Sequence, residues 1–234
     1  VPLRRVITRA VDGPHHSPIY VDSGIMFISA RNIKIDRWSL DDAKYISEKD
    51  YSEFCHRIKP EVGDVLYTKG GTTGVAKSVD LEFPFQVWVH VAVLKLRQDL
   101  VQPDYLALVL NSTHCYQQSQ LYTRGATNQD LGLGRMKTIF LSLPPSMKEQ
   151  IRIVAHARQE TSNILMALEK AESEIILIRE YRTRLISDAV TGKIDLRHLA
   201  PQPGDEDLEE SSEVLEDVID DVEMDGEEEV NEFG

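Results

Sequence analysis

Between Pro145 and Gly192 the chain contains neither proline nor glycine. That uninterrupted run constrains the fold more than any other feature. Ser146 and Glu149 match the S-x-x-E capping box that opens a helix, and Gly192 is suited to the left-handed turn that closes one. About 45 residues at about 1.5 Å each make a helix roughly 67 Å long, far more than the core of a chain this size needs covered. Met147, Gln150, Val154, Ala157, Thr161, Ile164, Leu168, Ala171, Ile175, Ile178, Arg182, Leu185 and Ala189 follow one another in alternating steps of three and four, and ten of these thirteen are apolar. This is a coiled-coil seam of period 3.5. Such a seam exposes apolar surface to water unless a second long helix covers it, and the chain offers no other candidate. The expected partner helix therefore lies in another chain, or in a missing half of a longer one. Arg152, Arg158, Arg179, Arg182 and Arg184 on the same helix read either as a solvated face or as a surface for DNA or a partner subunit.

Residues 1–143 read as a mixed α/β globular unit of the α+β class, built on a twisted mixed sheet. "GIMFISA", "GDVLYT", "VAKSV" and "VWVHVAVLKL" are rich in β-branched and aromatic residues and are bounded by Gly, Pro or Asp, which predicts strands. In the last, residues 87–96, Val87, Val89, Val91 and Val93 alternate with Trp88, His90, Ala92, Leu94 and Leu96. Both faces are largely apolar, so this strand is expected at the centre of the sheet, with Trp88 in the core. "QPDYLALVLNSTHCYQQSQLY" predicts helix, with Pro103 in the first turn and Leu106, Val109 and Leu110 on a buried stripe. A polar loop, "TRGATNQDLGLGRMK", separates it from a strand-like "TIFLSL".

"YTKGGTTGVAKS", residues 67–78, raises the question of phosphate binding. A nucleotide-binding P-loop places glycine directly before the lysine of G-x-x-x-x-G-K-[ST], whereas Lys77 and Ser78 here follow Ala76. A glycine-bearing hairpin turn between two strands fits better. It leaves room for a further reading, in which a basic, hydroxyl-rich turn lays bare backbone against nucleic acid.

The net charge of −13 opposes nucleic-acid binding only if it is spread evenly. Sixteen of the 39 acids lie from Asp205 onward with no Lys or Arg among them, leaving 23 acids against all 26 bases in residues 1–204. The folded part is thus mildly basic, and residues 199–234 read as a disordered acidic tail. The tail serves solubility, or it mimics DNA charge and competes for the basic face; in the second case truncation after Ala200 tightens DNA binding at low salt. No stretch reaches the roughly 18 apolar residues of a membrane span, and "VPLRRVITRA" has no signal-peptide apolar region. The chain reads as soluble and cytoplasmic, with no membrane partner. A first residue of Val leaves open processing or a fragment of something longer.

Taken in order, "VPLRRVITRAVDGPHHSPIYVDSGIMFISARNIK", "GDVLYTKGGTTGVAK", "LPPSMKEQIRIVAHA" and "RLISDAVTGKIDLR" resemble the specificity subunit of type I restriction–modification enzymes over nearly all of residues 1–198. The resemblance implies a target recognition domain at 1–143 and a spacer and dimerisation helix at 144–198 with its C-terminal cap. A complete subunit has two recognition domains and two antiparallel spacer helices; this sequence has one of each. It implies a non-catalytic protein that recognises double-stranded DNA and delivers a methyltransferase (modification) subunit to it. A restriction/translocase subunit follows through the methyltransferase, and a second specificity half-subunit, either a second copy or a split partner, completes the site.

Residue types that pair with guanine, adenine or phosphate single out Arg31, Asn32 and Lys34, Lys69, Gly70, Gly71, Thr72, Thr73, Gly74 and Lys77, and Arg124, Thr127, Asn128 and Gln129. Val154, Ala157, Ile164, Leu168, Ala171, Ile175, Ile178 and Leu185 are the expected dimerisation positions. No N/D-P-P-Y/F methyltransferase motif occurs, "DLGLGRMK" lacks the third glycine of a cofactor turn, and no carboxylate run carries nuclease spacing, so no catalytic residue and no cofactor is expected. His15-His16, Cys55-His56 and His114-Cys115 lack the C-x-x-C spacing of structural zinc, and neither Cys–His pair has an orienting third group for nucleophilic catalysis. The competing class is a coiled-coil assembly or adaptor protein with no DNA role.

Overall fold

The computed structural model describes residues 1–125 and 129–194. The acidic segment 199–234 and two expected DNA contacts, Thr127 and Asn128, lie outside the described residues. In chain order the elements are β1 (Ile7–Asp12), β2 (Tyr20–Val21), β3 (Ile25–Ile28), β4 (Lys44–Ile46), α1 (Glu48–Cys55), β5 (Val65–Thr68), β6 (Ala76–Ser78), β7 (Phe85–Val87), β8 (Val91–Leu96), α2 (Pro103–Leu110), α3 (Thr113–Tyr122), α4 (Leu133–Met136) and α5 (Met147–Val190). Single 3-10 turns stand at Leu3–Arg5 and Ala30–Asn32. The chain divides into two units, Val1–Leu168 and Glu169–Gly234.

The first unit holds two four-stranded sheets, ordered β1-β8-β5-β6 and β2-β4-β3-β7. The first sheet is antiparallel throughout, while the second joins β3 to β7 in parallel. Side-chain alternation with period 2 sorts the core into layers. In β8 and β5, Ala92, Leu94, Val65 and Tyr67 face α2 and the Cys115 end of α3. The intervening Val91, Val93 and Leu66 face Ile28, Phe85 and Val87 of the second sheet. On the far side of that sheet Phe27 and Ile46 meet Phe54 of α1. Strand β8 is therefore central and buried on both faces, as its sequence predicts.

Three elements depart from the sequence expectations. The strand expected over residues 87–96 is two: β7 ends at Val87, the chain turns through Trp88, Val89 and His90, and β8 begins at Val91. The Trp88 N–H continues the second sheet by donating to Ile28 O at 2.9 Å, and its carbonyl accepts from Val91 N at 2.9 Å to close the turn. An alternating apolar run cannot reveal that its two halves belong to different sheets. The helix expected over 103–122 breaks at Asn111 and Ser112. Asn111 turns its amide onto the edge of β6, with Oδ1 accepting from Ala76 N and Nδ2 donating to Ala76 O, both at 2.8 Å, and Ser112 caps α3. A side chain that mimics a strand in this way competes with helix continuation. Finally, "TIFLSL" forms an isolated bridge between Phe140 and Pro2 and no strand. Ile139 and Leu141 are buried beside an exposed Phe140, as in a strand, but Pro2 has no N–H with which to extend a ladder.

Helix α5 begins where Glu149 N and Gln150 N both donate to Ser146 O at 3.1 Å. It ends at Gly192, whose φ is +72°, with Lys193 N donating back to Asp188 O at 2.8 Å. Its first turns dock on the first unit. Gln150 is fully buried, accepting from Gln102 N and donating to Leu100 O, both at 2.9 Å. Val154 is also buried. Among the described residues no helix is long and apolar enough to cross a membrane.

Candidate nucleic-acid interface

Strands β5 and β6 form the expected hairpin, with Tyr67 opposite Ala76 and Leu66 opposite Lys77. A strand follows the glycine turn where a P-loop would need a helix, so the phosphate-cradling geometry is not built here. Thr68 pins the base of the turn: its carbonyl accepts from Gly74 N at 3.0 Å and its hydroxyl from Val75 N at 2.9 Å. Gly74 has φ +98°, and a Cβ there would stand 2.5 Å from Ser119 Oγ of α3. Gly71 has φ +66° with nothing near its missing Cβ, so within the protein it is the turn's conformation, not crowding, that calls for glycine there. Gly71 and Thr72 are exposed.

The same geometry withdraws five expected contacts from the surface, Gly70 and Gly74 among them, both buried where the turn packs on His90 and on α3. Lys69 is buried: its Nζ lies 2.5 Å from Asp130 Oδ1 and 3.6 Å from Asp12 Oδ2. Thr73 is 5% exposed, with its carbonyl accepting from Gln120 Nε2 of α3 at 2.9 Å. Asn32 is 4% exposed; its Oδ1 accepts from Ser29 N and Ser29 Oγ, and its Nδ2 donates to Ser39 O, all at 2.8 Å. A lysine or asparagine in a polar loop suits a buried tie as well as a base contact, and sequence alone does not separate the two uses.

What the structure brings together is the glycine turn and the polar loop. Leu131 N donates to Lys69 O at 2.8 Å, and Arg124 and Asp130 exchange both backbone hydrogen bonds, at 3.0 and 2.8 Å, across the neck of the loop. Gly70 bridges to Asp130. Arg124 and Gln129 are exposed beside Gly71 and Thr72. Behind this junction, Asp12 holds Lys69 and Arg57. Burial pushes the Asp12 carboxyl up, but the Arg57 hydrogen bond and the charges of Lys69, Arg57 and His15 outweigh it and hold it below the usual carboxylate range.

Arg31 and Lys34 belong to a second cluster. Their loop closes through Lys34 N to Arg37 O at 3.1 Å, and Trp38 Nε1 donates to Asp80 Oδ1 at 2.7 Å. Lys77 reaches over the Trp38 ring with Nζ 5.4 Å from its centroid. Burial lowers the Lys77 ammonium pKa, and the nearby carboxylates Asp80 and Asp36 only partly offset that. Arg31 and Lys34 are exposed.

His90 is a residue that the sequence reading placed inside a strand. Its carbonyl accepts from Lys69 N at 2.8 Å, and its ring lies where a Cβ on Gly70 would come within 2.0 Å of Nδ1. Burial and the Lys69 charge lower its pKa, against Asp130. A lone polar ring interrupting a valine run was the available signal. Among the described residues no group of three or more His, Cys, Asp or Glu is arranged to hold a metal ion.

Residues 21–174 match the family model described as "Type I restriction modification DNA specificity domain". The chain belongs to this family. The specificity-domain fold also appears in solved structures. One is the type I restriction–modification S subunit from M. genitalium, at 12% identity and TM-score 0.52, with 80% of this chain and 44% of that one covered. Another is a chain from a study of complex assembly and conformational transition in the type I R-M system, at 20% identity and TM-score 0.53, covering 81% and 44%. This specificity-domain chain thus spans less than half the length of either. No curated protein sequence matches it.

The seam of this family member divides in two. Val154 is buried in its own unit, at 7% exposure, and is thereby removed from the expected dimerisation set; Ala157 is half-buried and Ala171 exposed. Ile164, Leu168, Ile175, Ile178 and Leu185 are all exposed, at 44% or more.

Proposed function

We propose that this chain reads one half of a bipartite double-stranded DNA target and delivers a methyltransferase subunit, and through it a restriction/translocase subunit, to that site. The observation that carries this reading is the locked junction of the glycine turn with the polar loop. Gly71, Thr72, Arg124 and Gln129 stand side by side at the surface, with Arg31 and Lys34 exposed in the second cluster and Lys77 half-buried behind them. These residues offer guanidinium, amide, hydroxyl and bare backbone groups, the types that contact base edges and phosphates. Thr127 and Asn128 belong to the same loop by sequence.

The exposed apolar residues from Ile164 to Leu185 take a second specificity half-subunit, either a second copy or a split partner. Pairing with a second copy makes the target an interrupted palindrome, because a twofold protein reads twofold DNA. Methylome mapping in cells with and without this chain tests the reading. Loss of methylation at one bipartite sequence is expected, and an unchanged methylome overturns it.

The exposed seam by itself also suits a coiled-coil adaptor without a DNA role. Salt separates the two, because an interface that neutralises several phosphates weakens steeply with ionic strength and an apolar seam does not.

A further inference from the structure

At the end of β8 opposite His90, four cations gather without acidic partners. The 3-10 turn Leu3–Arg5 carries Arg4 and Arg5. Arg4 N donates to Lys137 O at 3.0 Å, and Arg97 N donates to Val6 O at 2.9 Å, so backbone hydrogen bonds fix three chain segments side by side. Arg4, Arg5 and Arg97 are exposed and Lys137 is half-buried. Among the described residues none of the four makes an ion pair, whereas Arg57, Lys69, Lys95, Arg135 and Arg158 each have a carboxylate. Arg31, Lys34 and Arg124, in the loops assigned above to DNA, are likewise without an ion pair. The folded unit thus neutralises many of its cations internally and leaves these sets bare.

The geometry points to a second phosphate-binding surface, formed by Arg4, Arg5, Arg97 and Lys137, that grips the duplex backbone outside the bases being read. This deepens the DNA-recognition reading and rests on it. Strand β8 runs from Val91, paired to Thr68 beside the glycine turn, to Leu96, paired to Ile7 beside the arginines. Its six residues at about 3.3 Å each separate the two surfaces by about 20 Å. On a duplex that distance is about six base-pair steps of about 3.4 Å. The arginine surface therefore meets flanking backbone and carries no sequence information; it adds affinity and fixes the direction in which the domain lies along the DNA.

The test uses the full chain assembled with its methyltransferase subunit and a fluorescein-labelled duplex bearing the target found by methylome mapping. The duplex is made with flanks of about 2 or about 12 base pairs, enough to withhold or supply the extra phosphates. Binding is followed by anisotropy across a salt series for the wild type and for the Arg4→Ala, Arg5→Ala, Arg97→Ala triple variant. On the long duplex the variant is expected to lose about two to three units of the log K against log salt slope, since each neutralised phosphate contributes about 0.9. On the short duplex the two proteins are expected to share one slope. Equal slopes on the long duplex overturn this inference while leaving the DNA reading in place. A wild type that shows no salt-dependent binding to either duplex overturns the underlying reading itself.

Discussion

Lys69 and Asp130, 61 residues apart in the chain, meet at 2.5 Å. Each belongs to a different loop, Lys69 to the glycine turn and Asp130 to the polar loop, and their side chains add an ion pair to the backbone bonds that join the two. With Asp12 on the other side of the ammonium, the pair helps hold the two loops as one surface with a fixed spacing.

Removing the ammonium leaves Asp12, 4% exposed, with one cation fewer and removes the side-chain tie between the loops, while the backbone bonds between them remain. Lys69→Met is expected to cost about 3 kcal/mol, toward the lower end for breaking a buried pair because Asp130 remains partly in water. Asp130→Asn keeps a hydrogen-bond acceptor and is expected to cost about 1 kcal/mol. It leaves the head folded but lowers the ratio of specific to non-specific DNA affinity. Urea unfolding and competitive binding with random-sequence duplex measure the two effects.

The glycines of the turn differ in what they tolerate. Gly71→Ala meets no atoms but keeps a left-handed backbone, at about 1 kcal/mol, so it is expected to fold and to weaken DNA binding. Gly74→Ala drives a methyl onto Ser119 Oγ as well and is expected to be about 2–3 kcal/mol less stable than the wild type. Thermal unfolding of the two variants side by side checks the order.

The glycine hairpin, the doubly buried β8 and the long helix closed at Gly192 were all legible, because period, glycine placement and the lack of helix breakers are local properties. Sheet exchange at Trp88–His90 was not: Val87, Val89 and Val91 continue one alternation across it, and only pairing with Ile28 on one side and Thr68 on the other separates the strands. The same limit hid the buried roles of Asn32 and Lys69. Their partners, Ser39 and Asp130, are chosen by tertiary structure, while exposed Arg31 and Arg124 carry the same kind of polarity in sequence. Val154 shares the heptad position of Leu168 and Ile175, and its burial depends on where the helix docks.

Acid should act through Asp12. Its folded-state pKa is held below the ordinary aspartate value, so its contribution is fully present above about pH 4 and fades as pH falls through the depressed folded value. Wild-type stability is expected to drop below about pH 4. Asp12→Asn, which leaves Arg57 and Lys69 without that carboxylate, should be less stable at pH 7 and lack this part of the acid slope. Urea midpoints measured from pH 7 down to about pH 3 for both proteins give the comparison.

The two halves of the helical seam should respond oppositely to substitution. Ile175 and Ile178 are 49% and 65% exposed, so Ile175→Asp with Ile178→Asp removes apolar surface that only a partner helix can bury and places two charges in its path. Self-association, followed by sedimentation, is expected to weaken by at least about 3 kcal/mol, roughly a hundredfold or more, since each isoleucine is worth about 1.5–3 kcal/mol when buried. The unfolding of residues 1–143 should be unchanged. Val154→Ala acts on the other side of the division: it opens space inside the first unit, costs about 2 kcal/mol of that unit's stability, and leaves association as it was. If the aspartates left association intact, the exposed residues would not be the contact that joins two copies, and the partner would have to seat elsewhere on the chain.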